Sequence, residues 1–327
     1  MPRISIAEIE DRTKAALIRH GAADWIAAEV ACAVGRAEAT GNVICGLYYL
    51  ESYCQQLRTG RVKGDVDPVV TRPRPGAVRV DARFGFAQPA FARARAVAVA
   101  AARDYGTATL AVGHAHTCTS LGYFTEQLAR EGLIAIGFTN ASPIVAPPGG
   151  KARVIGTNPI AFSVPDGQGG IAMQFDFSTS AVALGKITMA RAAGETIPPG
   201  WAVDAAGNPT TDPEAALSGA LLSAGGHKGW GFGLMAELLA AGMTGGVNSL
   251  DVKPLKAPEG PPHDLGQFYI LIDPAVSPDF AARFARLADA VAEDEGARLP
   301  GARVTGLDAA EVPEPLWQSV LALGGAI

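Results

Sequence analysis

Three short stretches of the 327-residue chain carry residue types suited to holding an anion. In Gly225-Gly226-His227-Lys228-Gly229 a lysine stands among glycines, so a point charge sits where the backbone is free to approach a pyrophosphate. Ser178, Thr179 and Ser180 set small hydroxyls ahead of an expected helix whose N-terminus favours phosphate. The glycine- and proline-rich run from Gly132 through Asn140 and Gly150 to Phe162 offers backbone amides to the same kind of ligand. Taken singly, each stretch also reads as ordinary turns and caps, and Lys228 fits that reading least.

Two other patterns point to metal chemistry less well. His114-Ala-His116 puts two imidazoles on one face at strand spacing, but the only nearby thiol is Cys118 and no acid lies close, so no metal is expected. Asp204, Asn208 and Asp212 loosely resemble a calcium loop without its closing glutamate, and a solvent turn is the simpler reading.

The elements that must position these residues can be read from spacing. Ser5 with Glu8 forms a capping box ahead of a helix carrying Ile6, Ile9, Ala16 and Leu17, and Asp24 is placed to cap a second helix running to about Gly41. A third, Leu47 to Leu57, stops at Gly60, and Asp65 to Pro75, with its three prolines, reads as an extended linker. Beyond it the spacing predicts a helix from about Ala90 closed by Gly106, a strand 108–112, a helix 120–130 and a strand 133–139, a βαβ pattern. Further strands are expected at 160–164, 172–177 and 268–272, with helices near 181–192, 230–243 and 278–292. The fold class is therefore mixed α/β with a helical N-terminal unit.

Composition sets the outer limits. With 48% hydrophobic and 18% charged residues the chain has enough apolar material for a sizeable core. The net charge of −5 argues against general nucleic-acid binding. Between Arg72 and Arg103, Arg74, Arg79, Arg83, Arg93 and Arg95 add to a local excess of arginine, which suits either attraction of an anionic ligand or a solvated face. The four cysteines, Cys32, Cys45, Cys54 and Cys118, form no CxxC pair, and reduced thiols in a cytoplasmic protein are expected. Neither a signal peptide nor a run of apolar residues long enough to span a membrane is seen.

A doubly wound dinucleotide enzyme would carry G-x-G-x-x-G between a strand and a helix, and none is present; Gly229-Trp-Gly231-Phe-Gly233 has the wrong spacing. No P-loop lysine, H-E-x-x-H pair or G-x-S-x-G elbow occurs either. The blocks that do occur resemble those of the malate/L-lactate dehydrogenase family, whose members also include ureidoglycolate, sulfolactate and diketogulonate enzymes and reductases of cyclic imino acids. Asn140, Pro143 to Gly150 and Gly156-Thr-Asn158-Pro-Ile-Ala-Phe162 are similar to the family's T-N-S-x-P, P-x-G-G and G-T-N-P-x-A-F. Asp176-Phe177-Ser178-Thr179-Ser180-Ala-Val182 with Gly185-Lys186 is similar to D-x-A-T-S-A-V-x-x-G-K, and the lysine-bearing stretch followed by Glu237 is similar to G-G-H-K-G…E.

The resemblance implies an L-sulfolactate dehydrogenase-like, non-Rossmann fold, a homodimer, and NADPH or NADH as cofactor. It implies a helical unit over 1–72, a substrate and dimerisation domain over 73–118 and 266–327, and a dinucleotide-binding domain over 119–265. The implied cofactor contacts are His116, Ser120, Asn140, Asn158, Asp176, Phe177, Ser178, Thr179, Ser180, His227, Lys228, Gly229 and Arg303. Arg303 falls in Pro300-Gly301-Ala302-Arg303, where the family has P-G-E-R. Catalytic positions fall on His116, Cys45, Tyr49 and Asp176. The family's proton donor lies in S-H-G, which here reads Ile44-Cys45-Gly46, and the arginine four residues on corresponds to Tyr49. A second family histidine, the proton acceptor of the ureidoglycolate enzyme, corresponds to Thr117 when counted back from Gly122 and to His116 if one residue is inserted.

These departures bear on the reaction. Reducing a ketone builds charge on oxygen that an acid must quench, whereas a cyclic imine arrives already protonated. The expected reaction is therefore NAD(P)H-dependent reduction of Δ1-pyrroline-2-carboxylate to L-proline, and by extension of Δ1-piperideine-2-carboxylate to L-pipecolate. The alternatives are a 2-hydroxyacid dehydrogenase that uses His116 as acid and base, and a catalytically silent dinucleotide sensor.

Overall fold

Local signals start and stop several of the helices close to where the sequence places them. In the computed structural model, which describes residues 1–117, 119–301 and 306–325, the Glu8 amide donates to the Ser5 hydroxyl at 3.2 Å. A short strand β1 (Arg3–Ser5) thus hands over to α1 (Ile6–Arg19). Next comes α2 (Asp24–Ala39), but Asp24 is its first residue and not its cap. The Asp24 carboxylate pairs with Lys14 at 2.9 Å instead. Two 3-10 turns then lead into α3 (Leu50–Thr59), which ends on Gly60 at φ 73°.

The segment expected as a linker contains a strand, β2 (Val69–Arg74), paired antiparallel with β3 (Ala77–Asp81) at the edge of the main sheet. Its prolines are tolerated because an edge strand leaves one row of amides unpaired, and the register slips between Thr71 and Arg74, around Pro73. The chain continues through α4 (Ala87–Tyr105), β4 (Thr107–Ala115), α5 (Gly122–Arg130), β5 (Ile134–Thr139), β6 (Ile160–Pro165) and β7 (Ile171–Phe177). A smaller lobe follows: α6 (Leu184–Ala193), β8 (Ala202–Val203), β9 (Pro209–Thr210), α7 (Pro213–Ser218) and β10 (Ala220–Leu221). The rest is α8 (His227–Glu237), extended by a π-helical turn over 238–242, then β11 (Leu265–Ile272), α9 (Phe280–Ala292), β12 (Ala309–Glu311) and α10 (Glu314–Gly324).

Seven strands form one mixed sheet in the order β2-β3-β4-β11-β5-β6-β7. The expected βαβ unit is present with a difference: β4 and β5 run the same way, but β11 lies between them and antiparallel to both. The near-continuous apolar run Leu-Gly-Gln-Phe-Tyr-Ile-Leu-Ile suits a strand buried on both faces. Rings of Phe91 from α4, Phe124 from α5 and Tyr269 from β11 meet at 5.0–6.0 Å and fill the space between sheet and helices. A second core joins α1, α2 and α3 to Trp317 and Val320 of α10, and β1 pairs with β12. Residues 309–324 are thus packed with the N-terminal helices.

This topology sets up the site. The pairings Ala115 with Leu265, Gln267 with Thr139, Phe138 with Ile160 and Ile160 with Phe177 put five strand ends along one edge of the sheet. His116, His263, Asn140, Asn158 and Ser178 all lie within two residues of those ends. Among the described residues, no helix is long and apolar enough to cross a membrane.

Candidate active site

Along that edge runs a cleft of about 300 Å³ whose walls include Cys45, Tyr49, Thr117, Asn140, Thr157 and His263. His116 lies one ring deeper. Its imidazole is enclosed by Tyr53 at 5.6 Å, Phe86 at 5.5 Å and His263 at 5.5 Å, and its amide donates to the Gly85 carbonyl at 2.8 Å. Neither ring nitrogen of either histidine has a hydrogen-bond partner among the described residues. Burial pushes the His116 pKa well below the usual histidine value, with the neighbouring His263 and Arg61 adding to the effect. Burial and Arg61 likewise push His263 down to about 3. Both rings are therefore neutral at neutral pH.

Two devices hold this pair. Arg61, itself buried, donates to the carbonyls of Pro254, Leu255, Ala257 and Pro261 at 2.7–3.0 Å, strapping the segment ahead of His263 to the end of α3. Gln56 donates to Leu255 and Ala257 as well. Beside the histidines, His114 Nδ1 meets Asp264 Oδ1 at 3.0 Å, and both residues adopt left-handed backbone, φ 50° and 52°. Non-glycine residues take that conformation at a cost that the surrounding structure must offset. His263 was missed by sequence reasoning. Its signal is position: it stands two residues ahead of β11, the strand that pairs with β4, which ends just before His116.

Cys45 and Tyr49 come from the two 3-10 turns between α2 and α3. The Leu47 amide donates to the buried Glu38 carboxylate at 2.8 Å, and a Cβ on Gly46 would overlap that same carboxylate. Burial, and then the charge of Asp176, pushes the Cys45 thiol up to about 12, and burial does the same for the Tyr49 phenol. Neither ionises near neutral pH. The Lys256 ammonium covers the Tyr48 ring at 3.5 Å and sits 5.4 Å from the Tyr49 ring. Asp176 lines an adjoining depression with Ser120, and accepts from the Gly122 amide at 2.8 Å and the Ser120 hydroxyl at 3.3 Å. Its carboxyl is raised by burial and lowered in part by those bonds.

The three glycine- and hydroxyl-rich blocks are brought together by backbone bonds. The Thr179 amide donates to Thr157 at 2.8 Å, and the Ala224 amide donates to Thr179 at 2.9 Å. Most of the hydroxyls are already engaged: Thr179 donates to Thr157 at 3.0 Å, Ser180 to Val182 at 2.8 Å, and Ser178 meets Ser180 at 3.1 Å. Moreover α6 begins only at Leu184, so these residues occupy a loop and not a helical first turn. Asn140 lines the cleft and donates to Val247 at 2.8 Å. Asn158 is fully buried and donates to Gly233 and Glu237 at 3.1 and 2.8 Å. The Phe177 ring is 60% exposed and stacks on Phe175 at 5.0 Å.

At the other block, His227 and Lys228 are exposed on the first turn of α8. Gly225 and Gly226 have φ 66° and 64°, with open space where a Cβ would stand, whereas a Cβ on Gly229 would collide with the Ala224 carbonyl. An exposed cation, a helix start and an uncovered glycine pair fit a dinucleotide phosphate. Arg303 lies outside the described residues; Pro300 just ahead of it accepts the Gln174 amide at 3.2 Å on β7. Asp204 accepts the Ala206 and Asn208 amides in a solvent turn. Among the described residues, no cluster of three His, Cys, Asp or Glu side chains is arranged to hold a metal. Of the arginines between 72 and 103, Arg93 pairs with Asp67, Arg95 donates to Gln127 and Arg103 donates to Glu131, so these three are engaged locally.

Comparison with known proteins adds a separate line. The pattern of the malate/L-lactate dehydrogenase family matches residues 4–311. The (2R)-3-sulfolactate dehydrogenase (NADP(+)) of Chromohalobacter salexigens is 42% identical over 301 residues, 92% of this chain and 90% of that protein. The Delta(1)-pyrroline-2-carboxylate reductase of Ancylobacter novellus is 39% identical over 307 residues, 92% of this chain and 89% of that protein. The crystal structure of delta1-piperideine-2-carboxylate reductase from Pseudomonas syringae superposes with a TM-score of 0.91 at 34% identity, over 99% of this chain and 100% of that one.

Proposed function

The chain belongs to the malate/L-lactate dehydrogenase family, and from that premise we propose that it reduces a cyclic imino acid, Δ1-pyrroline-2-carboxylate to L-proline and Δ1-piperideine-2-carboxylate to L-pipecolate. As a family member it is a nicotinamide-dependent oxidoreductase, and the bound NADPH or NADH supplies the hydride. The observation that carries the substrate reading is the absence of a ready acid from Cys45, Tyr49 and His263. The first two hold their protons to about 12, and His263 is uncharged. A ketone needs a proton delivered to oxygen as the carbon is reduced, whereas a protonated imine keeps its own. The relatives named as pyrroline-2-carboxylate and piperideine-2-carboxylate reductases support the same choice.

On this reading Lys228, the start of α8 and Ser178 hold the phosphates, with the open glycines Gly225 and Gly226 letting them approach. Asn158 and Thr179 shape that loop from beneath through the bonds described above. Asp176 fixes the start of α5, and with Asn140, Cys45 and Tyr49 it shapes the pocket. The relative named as a (2R)-3-sulfolactate dehydrogenase favours a second reading, reduction of a 2-keto acid. Steady-state turnover with NADPH and NADH against both imines, pyruvate, oxaloacetate and 3-sulfopyruvate separates the two. Preference for the imines is expected, and a clear preference for a keto acid rejects the first reading.

A homodimer in the cytoplasm completes the proposal. Phe232, Met235 and Leu238 are exposed around α8, and no residue of α9 is buried within one chain. Cys32, Cys45 and Cys54 are free thiols. Sedimentation equilibrium at micromolar protein tests the dimer, and a single-chain mass rejects it.

A further inference from the structure

We infer that His263 accepts the N–H of the bound cyclic imine, with His116 behind it as a positioning residue. The inference rests on reading the cleft as an imino-acid site, and it assigns that site a residue whose type and spacing did not mark it out. His263 stands in the cleft wall, only 4% exposed. Buried polar side chains are almost always hydrogen-bonded, yet both nitrogens of this ring, and both of His116, are unpartnered among the described residues. Two adjacent orphaned imidazoles at the mouth of five strand ends are best explained as groups whose partner arrives with a ligand.

The surroundings show that the ring is held rather than tolerated. Arg61 grips four carbonyls between Pro254 and Pro261, directly ahead of His263. On its other side Asp264 is fixed in a left-handed conformation by the contact with His114. The His116 ring at 5.5 Å, itself wedged between Tyr53 and Phe86, blocks the His263 ring from turning inward.

The chemistry then discriminates between substrates. A neutral imidazole offers one N–H and one lone pair, and the N–H of a protonated imine matches that lone pair. When C2 gains the hydride, the C=N π pair becomes the nitrogen lone pair and the proton remains on nitrogen, so His263 has only to hold the N–H in place. A ketone oxygen offers no donor and needs a proton that burial beside Arg61 makes this ring slow to carry. His263 thus serves the reduction of an imine, which brings its own proton, better than that of a keto acid, whose oxygen the ring N–H can hold but not readily protonate.

The test uses the full chain with His263→Phe and His263→Gln, and two planar probes, pyrrole-2-carboxylate, which carries an N–H, and furan-2-carboxylate, which does not. Calorimetry on the NADP⁺-loaded protein should show the parent binding the pyrrole about tenfold more tightly than the furan. His263→Phe should lose that preference, and His263→Gln, which keeps an acceptor, should retain part of it. Imine kcat/KM should fall about a hundredfold in His263→Phe while NADPH affinity, followed by fluorescence, stays within about twofold. Should His263→Phe fail to fold, His263→Leu, which also lacks an acceptor, is expected to show the same loss of preference. An N–H preference that survives in His263→Phe or His263→Leu, or imine turnover in either within about threefold of the parent, overturns the assignment of His263. If the parent itself binds NADPH but reduces no imine, the substrate reading falls and the assignment falls with it.

Discussion

Two buried polar clusters sit at the same end of the sheet and differ in almost every respect. Around Glu237, Asn158 donates at 2.8 Å, and the Ser249 amide and hydroxyl donate at 2.6 and 2.5 Å, so the carboxylate is fully engaged. Around His116 and His263, no ring nitrogen has a partner among the described residues. The first cluster spends its polarity on tying α8 to the segment after it and to the loop ahead of β6. The second withholds its polarity from the fold. Saturated clusters rigidify, whereas orphaned ones cost stability and are retained where a ligand completes them.

The sharpest way to break this contrast is to remove the centre of the saturated cluster. Glu237→Ala strands three buried donors and should cost about 3 kcal/mol, read from urea denaturation. A loss of less than about 1 kcal/mol would mean that water or rearrangement replaces the carboxylate. Lowering the pH attacks the other cluster. An unfolded histidine takes up a proton near pH 6.5, but folded His263 does so only near 3. Between those values the unfolded state binds more protons, so stability falls as pH falls and is flat, for this group, above 6.5. His263 alone should cost roughly 1.4 kcal/mol at pH 5.5 relative to pH 7.5, with His116 adding in the same direction. A His116→Phe/His263→Phe protein should lose this part of the slope, and an unchanged slope would show that the rings are already solvated.

Smaller effects refine the picture. Lys228→Ala should weaken NADPH binding about tenfold, and the difference should shrink as salt is raised. A salt-independent change would point to packing and not charge. His116→Phe alone should alter stability by less than about 1 kcal/mol, in either direction, because it removes an unpartnered group and keeps the ring. A loss comparable to that of Glu237→Ala would erase the distinction between the two clusters.

Several of the candidate residues stood out in the sequence itself. Lys228 among its glycines and the hydroxyls at 178–180 were marked by residue type and spacing, and Asn140, Asn158 and Asp176 by their places in the family blocks. Their particular duties were not. Thr179 and Ser180 turn their hydroxyls to nearby carbonyls, which depends on a loop path that spacing does not encode. Asp24 looked like a cap and became an ion-pair partner because the helix begins one residue earlier than its side chain suggests. Proline suggested a linker at 65–75, where an edge strand tolerates it.

By itself the sequence determined what is local: the Ser5 cap, the glycine stops at Gly60 and Gly106, the alternation of strands with helices, and the family blocks. These follow from backbone preferences and side-chain spacing within a few residues. Only the tertiary structure decided that β11 enters between β4 and β5, and that decision set His263 beside His116. Strand order is chosen by which apolar faces bury best together, a sum over the whole chain, so the partner of a buried histidine is fixed by packing at long range.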